Sequence, residues 1–440
     1  MINILKNTNE LSTNIIYFLI IALPVTLVSG PFLSDLSVSI ITIIFLYISY
    51  KKKLIFYYKN KYSKFFGIFF LILLLTSFLS TDPFISFKKT IFFFRFWIFA
   101  LAVWYIFNIK KEELCKYLII SFTLIFIILI IDGYYQFIFK ENILGWKVYG
   151  SRVSSLFKDE LILGSYLSRL LPIYFALLIY TNFEKKISAY ILFFLIFVGI
   201  ETLTFLSGER VAFFYINAST LMLILTMRNY KLFRFFTVIT SIVVIVLLIN
   251  IYPKSTDRII NKTISQLGFE QKKTDSNNNE KDTSTTSSES KQKKYIFSLE
   301  HQNHYISSFR MFKDNMISGI GPRMFRYTCG LKKYNIWEGC STHPHNTYVQ
   351  LLTETGLIGF IFGLFVFLII FISILKHFIL KFYKKKILFN DFQLALISAI
   401  MISLWPFVPT GGLFNNWLNI IYFFPVGMYL SSMHESKNNF

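Results

Sequence analysis

The sequence predicts an all-α, polytopic integral membrane protein with about 12 transmembrane helices and one large outward-facing loop. Three observations carry that prediction. Hydrophobic residues make up 54% of the 440-residue chain and charged residues only 16%, with a mean hydropathy of +0.54; soluble chains of this length are more polar. Mainly apolar runs long enough to cross ~30 Å of hydrocarbon recur along the whole chain. The net charge of +21 sits largely in short tracts between those runs, which suits topology determinants facing anionic lipid better than a nucleic-acid surface. With 3 Cys and 52 Phe, the chain suits neither a disulfide-rich secreted scaffold, nor a coiled coil, nor a disordered protein.

The first expected span starts near Thr13. It is too long, and too poor in a small-residue cleavage site, for a signal peptide, so it reads as an anchor. Spans are then expected from near Leu36, Phe65, Ile91, Tyr117, Glu160, Ile187, Val211 and Leu232, which makes residues 1–252 an N-terminal set of helices. Three more, from near Asn346, Phe392 and Phe414, fill residues 346–440. Basic residues in short loops stay on the cytoplasmic side. Lys51 to Lys53 with Lys59, Lys61 and Lys64 form one such tract, Lys110, Lys111 and Lys116 a second, and Lys185 with Lys186 a third. Arg228, Lys231 and Arg234, then Lys376, Lys381 and Lys384 to Lys386, complete the series. All fall on one side, so both termini are expected to be cytoplasmic, and segments 140–159, 207–210, 253–345 and 409–413 to face outward. Lys88 and Lys89 run against this pattern.

The outward segment 253–345 is the longest loop. Its residues 271–294 contain no apolar residue and cannot bury a core, so they read as a flexible insert. From Tyr295 onward aromatic residues return, and Tyr305, Phe309 and Phe312 follow the spacing of an amphipathic helix that folds against the membrane surface. Cys329 and Cys340 lie in this half, and in an oxidising compartment the pair is expected to be a disulfide, with Cys115 left as a thiol. The rival reading, a zinc site of these cysteines with His343 and His345, lacks paired C-x-x-C spacing. No metal site is therefore expected.

Ionisable residues inside spans are costly and are functional candidates by default; Arg95, Asp132, Arg169, Glu201 and Glu354 qualify. Arg95 and Glu354, near outer ends, could equally snorkel to the interface, and Arg169 and Glu201 could serve structural pairing. A stronger signal is that Arg152, Arg210, Arg310, Arg323 and Arg326 all fall on the outer side, opposite to where cations concentrate. Arginines there suggest a bound anion, because a guanidinium forks onto phosphate oxygens. His343 and His345 stand in HPHN just before the tenth expected span. An imidazole titrating near neutrality suits a general base acting on a hydroxyl; Pro344 stiffens the approach and Asn346 can cap the next helix. No phosphate-binding G-x-x-x-x-G-K-[ST] loop and no G-x-S-x-G turn is present, so the substrate itself must supply the energy of any reaction.

These stretches resemble the superfamily of bacterial O-antigen ligases and O-antigen polymerases. The resemblance is carried by DGYYQ at 132–136, GSR at 150–152 with Leu156 and Phe157, SGER at 207–210, RMFKDNMISGIGPRMFR at 310–326, and HPHNTYVQLLTETGLIG from His343 to Gly359. It implies a helical glycosyltransferase of the GT-C kind in the bacterial inner membrane, with its active site on the periplasmic face and no cofactor. For a ligase, the donor is a glycan on undecaprenyl diphosphate and the acceptor a lipid A-core sugar hydroxyl, both presented by membrane lipid. Residue by residue, Arg210 and Arg310 match the family arginines that contact the diphosphate, with Arg152 and Arg323 as further candidates. His345 matches the proposed base, and His343 is its reserve. A polymerase of the same superfamily would use the same motifs with a second lipid-linked glycan as acceptor. A polysaccharide or lipid transporter, from a different class, would share the helix number; against it stand the absence of detectable repeats and the gathering of Arg and His on one face instead of at the midplane.

Overall fold

The computed structural model describes residues 2–253, 298–384 and 388–438, so the insert at 271–294 lies outside the described residues, as do Lys385 and Lys386. Within them the chain is helical, with two isolated β-bridges and no strand ladder. The long helices are α1 (Ile2–Val28), α2 (Pro31–Lys52), α3 (Lys61–Phe78), the short α4 (Pro83–Thr90), and α5 (Phe94–Phe139). They continue with α6 (Leu163–Tyr180), α7 (Ile187–Leu206), α8 (Arg210–Thr226) and α9 (Lys231–Ile251). After the outward helices α10 (Leu299–Asp314) and α11 (Phe325–Thr328) come α12 (Thr347–Phe382), α13 (Asp391–Ser403) and α14 (Asn416–Asn438).

The chain is a polytopic membrane protein: among the described residues, 7 helices are long and apolar enough to cross a membrane, and three shorter apolar helices accompany them. The expected spans from Ile91 and Tyr117 share the single helix α5, which breaks at Lys110, where φ is −138° and ψ 38°. Large apolar side chains such as Ile43, Leu71, Leu124, Val243 and Ile361 are exposed along the helices, as lipid-facing positions require. Inside, α5 packs against α1, α2, α7 and α14, while α6 packs against α7, α8 and α13.

Charges inside the bundle are paired or hydrogen-bonded. Glu201 and Arg234 form a buried ion pair at 2.8 Å, and the Ser241 hydroxyl donates to Glu201 at 2.5 Å. Arg169, also read as open to structural pairing, bonds Ser165 and lies over the Tyr215 ring at 4.6 Å. Arg95 pairs with Asp35 at 2.6 Å.

Hydrogen bonds sort the loops into two ends. At one end Lys52 meets Tyr105, Lys110 meets Asn14, Lys111 lies over Tyr180 and Phe392, and Lys381 donates to the carbonyls of Leu225 and Met227. At the other end Trp417 Nε1 donates to Leu27 O, Thr81 N to Ile320 O, Val153 N to Leu206 O and Thr410 N to His345 O. Most of the basic tracts thus gather at one end, opposite the four candidate outward segments. Lys88 and Lys89, on α4, stay with the outward segments, because Ser86 on the same helix donates to Pro322 O at 3.0 Å.

α10 turns a polar face into the protein. Its buried face is Asn303, His304, Ser307, Ser308 and Met311, while Phe309 is 51% exposed. The polar face wins because the neighbouring loop satisfies it: Asn303 Nδ2 donates to Trp337 O at 2.9 Å and Ser307 Oγ to Tyr334 O at 3.0 Å. The aromatic stripe is left outside.

Candidate functional site

The site is assembled by motifs that brace one another. Asp132 and Gln136 stand one helical turn apart on α5 and are buried. Asp132 accepts from Ser155 Oγ at 2.5 Å and Ile143 N at 3.0 Å; Gln136 Oε1 accepts from Ser154 N at 2.9 Å and Ser155 N at 2.7 Å. These bonds fold the 140–157 segment over the helix end. Arg152 then reaches the next motif, with Nε donating to Ser207 O at 3.3 Å and Nη2 to Leu161 O at 3.0 Å. In the SGER turn, Glu209 accepts from Gly164 N at 2.7 Å and Ser165 N at 3.1 Å, capping the start of α6. Burial pushes the Glu209 carboxyl up to about 7 against the opposing pull of Arg152. Arg210, beside it, opens α8.

A second brace fixes the other half. α12 breaks at Gly356, whose φ of 64° and ψ of −162° fall where glycine alone is at ease. Into that break fits the 316–321 segment: Leu357 N donates to Met316 O at 2.8 Å, Ile320 N to Thr353 O at 3.0 Å and Gly321 N to Glu354 O at 3.0 Å. Glu354, fully buried, accepts from Phe325 N at 3.1 Å and Gln350 Nε2 at 2.9 Å, and so holds the start of α11. With nine residues between Asn346 and Gly356, one turn-rich segment is thus set against the helix that His345 precedes. Asn346 caps that helix, accepting from Tyr348 N at 2.9 Å and Val349 N at 3.0 Å, and donates to the carbonyls of Pro406 and Val408. His345, just before the cap, has φ 57°, a left-handed conformation that the surrounding bonds impose.

Between the two halves lie four histidines. The His343 and His345 ring centroids are 4.1 Å apart, His304 stacks on His345 at 5.2 Å, and His301 approaches His345 at 5.5 Å. Hydroxyls hold three of the rings: Ser341 Oγ with His345 Nε2 at 3.1 Å, Thr342 Oγ1 with His343 Nδ1 at 2.9 Å, and Ser298 Oγ with His301 Nδ1 at 2.6 Å. Burial, and then the neighbouring imidazoles, hold His345 down to about 3; burial, with Arg326 and the other rings, holds His343 down to about 4. Arg210, at the SGER turn, acts on His301 electrostatically and adds to the lowering of its pKa by burial and by His304.

Of the residues singled out in the sequence, His343 and His345 therefore come together, with Arg210 within electrostatic range of His301 beside them. Arg152 braces the SGER turn. Arg323, with φ 61°, lies near Glu354 and Arg326, and burial lowers its pKa. Arg310 is exposed, on the face of α10 away from His304, and reaches Asn335 O at 3.5 Å. Cys329 and Cys340 are bonded to each other, 11 residues apart, so the zinc reading loses its sulfur ligands. His301 and His304 were not singled out; the signal for them is an i, i+3 histidine pair just after the capping Ser298.

Residues 191–364 match the family model described as O-antigen ligase. That span holds the SGER turn, α10, the disulfide loop and the HPHN segment, which are among the stretches that carry the resemblance in the sequence. No curated protein matches the chain.

Proposed function

We propose that this chain, whose residues 191–364 match the O-antigen ligase family model, is a glycosyltransferase that moves a glycan from undecaprenyl diphosphate to a lipid A-core sugar hydroxyl at the periplasmic face of a bacterial inner membrane. The observation that carries the reading is the gathering of the HPHN histidines with His301 and His304 at the bundle end where the outward loops converge, with Arg210 within electrostatic range of His301. A neutral imidazole and an arginine at one end of the bundle supply the two groups that displacement at an anomeric carbon needs.

In this mechanism His345 takes the proton of the acceptor hydroxyl as its oxygen bonds to the anomeric carbon. The bond from that carbon to the diphosphate breaks, and the electron pair leaves with the phosphate oxygen. Arg210 faces the charge that grows there, while Arg310 and Arg323 are assigned to more distal parts of the donor. Its depressed pKa keeps the His345 ring neutral before the donor arrives, and the donor's negative charge raises its basicity as the reaction starts. The leaving diphosphate supplies the energy, so the proposed reaction requires neither metal nor nucleotide.

The test is the lipopolysaccharide ladder of a deletion strain. The expected result is rough lipopolysaccharide with long glycans accumulating on the undecaprenyl carrier. Lipid A-core capped by a single repeat unit would reassign the chain to polymerisation.

A further inference from the structure

His301 and His304 have no part in the transfer step as written, yet they stand within the same cluster as the two HPHN histidines. The His301 to His345 and His304 to His345 centroid distances are 5.5 and 5.2 Å. His304 is 7% exposed, and its Nδ1 is buried without a hydrogen-bond partner. In a protein interior such an atom costs free energy, which a ligand repays by bonding it.

The charged groups around the cluster come from each element packed on it. Glu300 accompanies His301 on α10, Arg210 comes from α8, and Arg326 comes from α11. The 409–413 segment brings the uncharged Thr410 and Gly412; a Cβ at Gly412 would sit 3.2 Å from the His343 ring. One carboxylate against two guanidiniums leaves the surroundings net positive. His301, His343 and His345 in such a place favour the neutral form while the site is empty. A dianion among them reverses the balance, because each proton taken up creates a charge-assisted hydrogen bond to a phosphate oxygen.

We propose that His301 and His304 are donor-site residues, and that the four-histidine cluster binds a diphosphate headgroup together with protons, so that donor affinity rises as the medium is acidified. The inference rests on the reading of the site as the seat of a lipid diphosphate.

The experiment is isothermal titration of the detergent-solubilised full chain with a farnesyl diphosphate-linked sugar. This probe is a diester whose two charges do not titrate between pH 6 and 8. Runs at pH 6, 7 and 8, in two buffers of different ionisation enthalpy, read affinity and proton uptake together. The expected result is affinity that rises threefold to tenfold per pH unit on acidification, tenfold being the limit for one linked proton, with a buffer-dependent heat that reports uptake. His301→Gln and His304→Gln should each flatten the slope. Equal affinity at pH 6 and 8 with no buffer-dependent heat overturns the proposal and leaves the donor reading standing. Absence of binding at every pH overturns both. The buffer-enthalpy measurement on the unsubstituted chain decides even where a variant fails to fold.

Discussion

Replacing Gly356 by alanine strikes the joint between α12 and the 316–321 segment. At φ 64° and ψ −162°, an L-residue pays about 1–3 kcal/mol in backbone strain alone. The added Cβ would also overlap the backbone carbonyl of Ile317 and crowd Gly319 N. That backbone cannot retreat without breaking the bonds from Leu357 N to Met316 O, Ile320 N to Thr353 O and Gly321 N to Glu354 O, each worth ~1 kcal/mol net. Strain plus the loss of one or two of these bonds comes to roughly 2–5 kcal/mol. Gly330 is the control, since a Cβ there meets nothing within 4 Å. The assay is thermal loss of the monodisperse peak in detergent, read by fluorescence-detected size exclusion. Gly356→Ala should melt well below the parent, and Gly330→Ala close to it. A Gly356→Ala protein as stable as the control would refute the claim that the joint is backbone-packed.

The remaining expectations concern the site. His345→Ala should abolish transfer and leave donor binding near normal, while Arg210→Ala should weaken donor binding and lower the rate by ~10²-fold; full transfer by His345→Ala, read by product blot, would move the base to His343. Serine at Cys329 and Cys340, which close a loop of 11 residues, should cost about 3 kcal/mol, and mass spectrometry showing two free thiols in the parent would remove the bridge. His343 and His345, held down to about 4 and about 3, bind fewer protons folded than unfolded below pH 6.5. Their contribution to stability is present above that pH and is lost as the pH falls toward 4, about 1–2 kcal/mol for the pair at pH 5 after allowance for partial exposure. The double Gln variant should therefore melt with a shallower loss between pH 7.5 and 5, and an unchanged slope would remove the histidines as its source.

The membrane class was legible because the bilayer imposes long apolar runs that composition alone reveals. Helix ends were legible where a capping residue marks them, as Asn346 does before α12. What stayed hidden is what depends on pairing across distant segments. Nothing in the local sequence says that Arg234, not Arg169, meets Glu201, since both arginines lie in apolar runs. The α10 spacing marked an amphipathic helix, but not what its polar face would meet: that face is buried in the protein and is satisfied by Trp337 and Tyr334 carbonyls some thirty residues away, while the aromatic stripe is left outside.

That inversion also separates two arginines that the sequence treats alike. Helical spacing puts Arg310 six residues beyond His304, hence on a different face of α10, and the structure leaves it exposed with Tyr305, Phe309 and Lys313 around it. Arg210 opens α8 within electrostatic range of His301, next to the half-buried Glu209 that caps α6. A residue so placed can meet a leaving group, whereas one on the outer face of α10 meets a ligand only beyond that helix. The same residue type in the same loop-rich end thus divides by geometry, and the proposed transfer sets Arg210 with the bond that breaks and Arg310 with the part of the substrate that extends past α10.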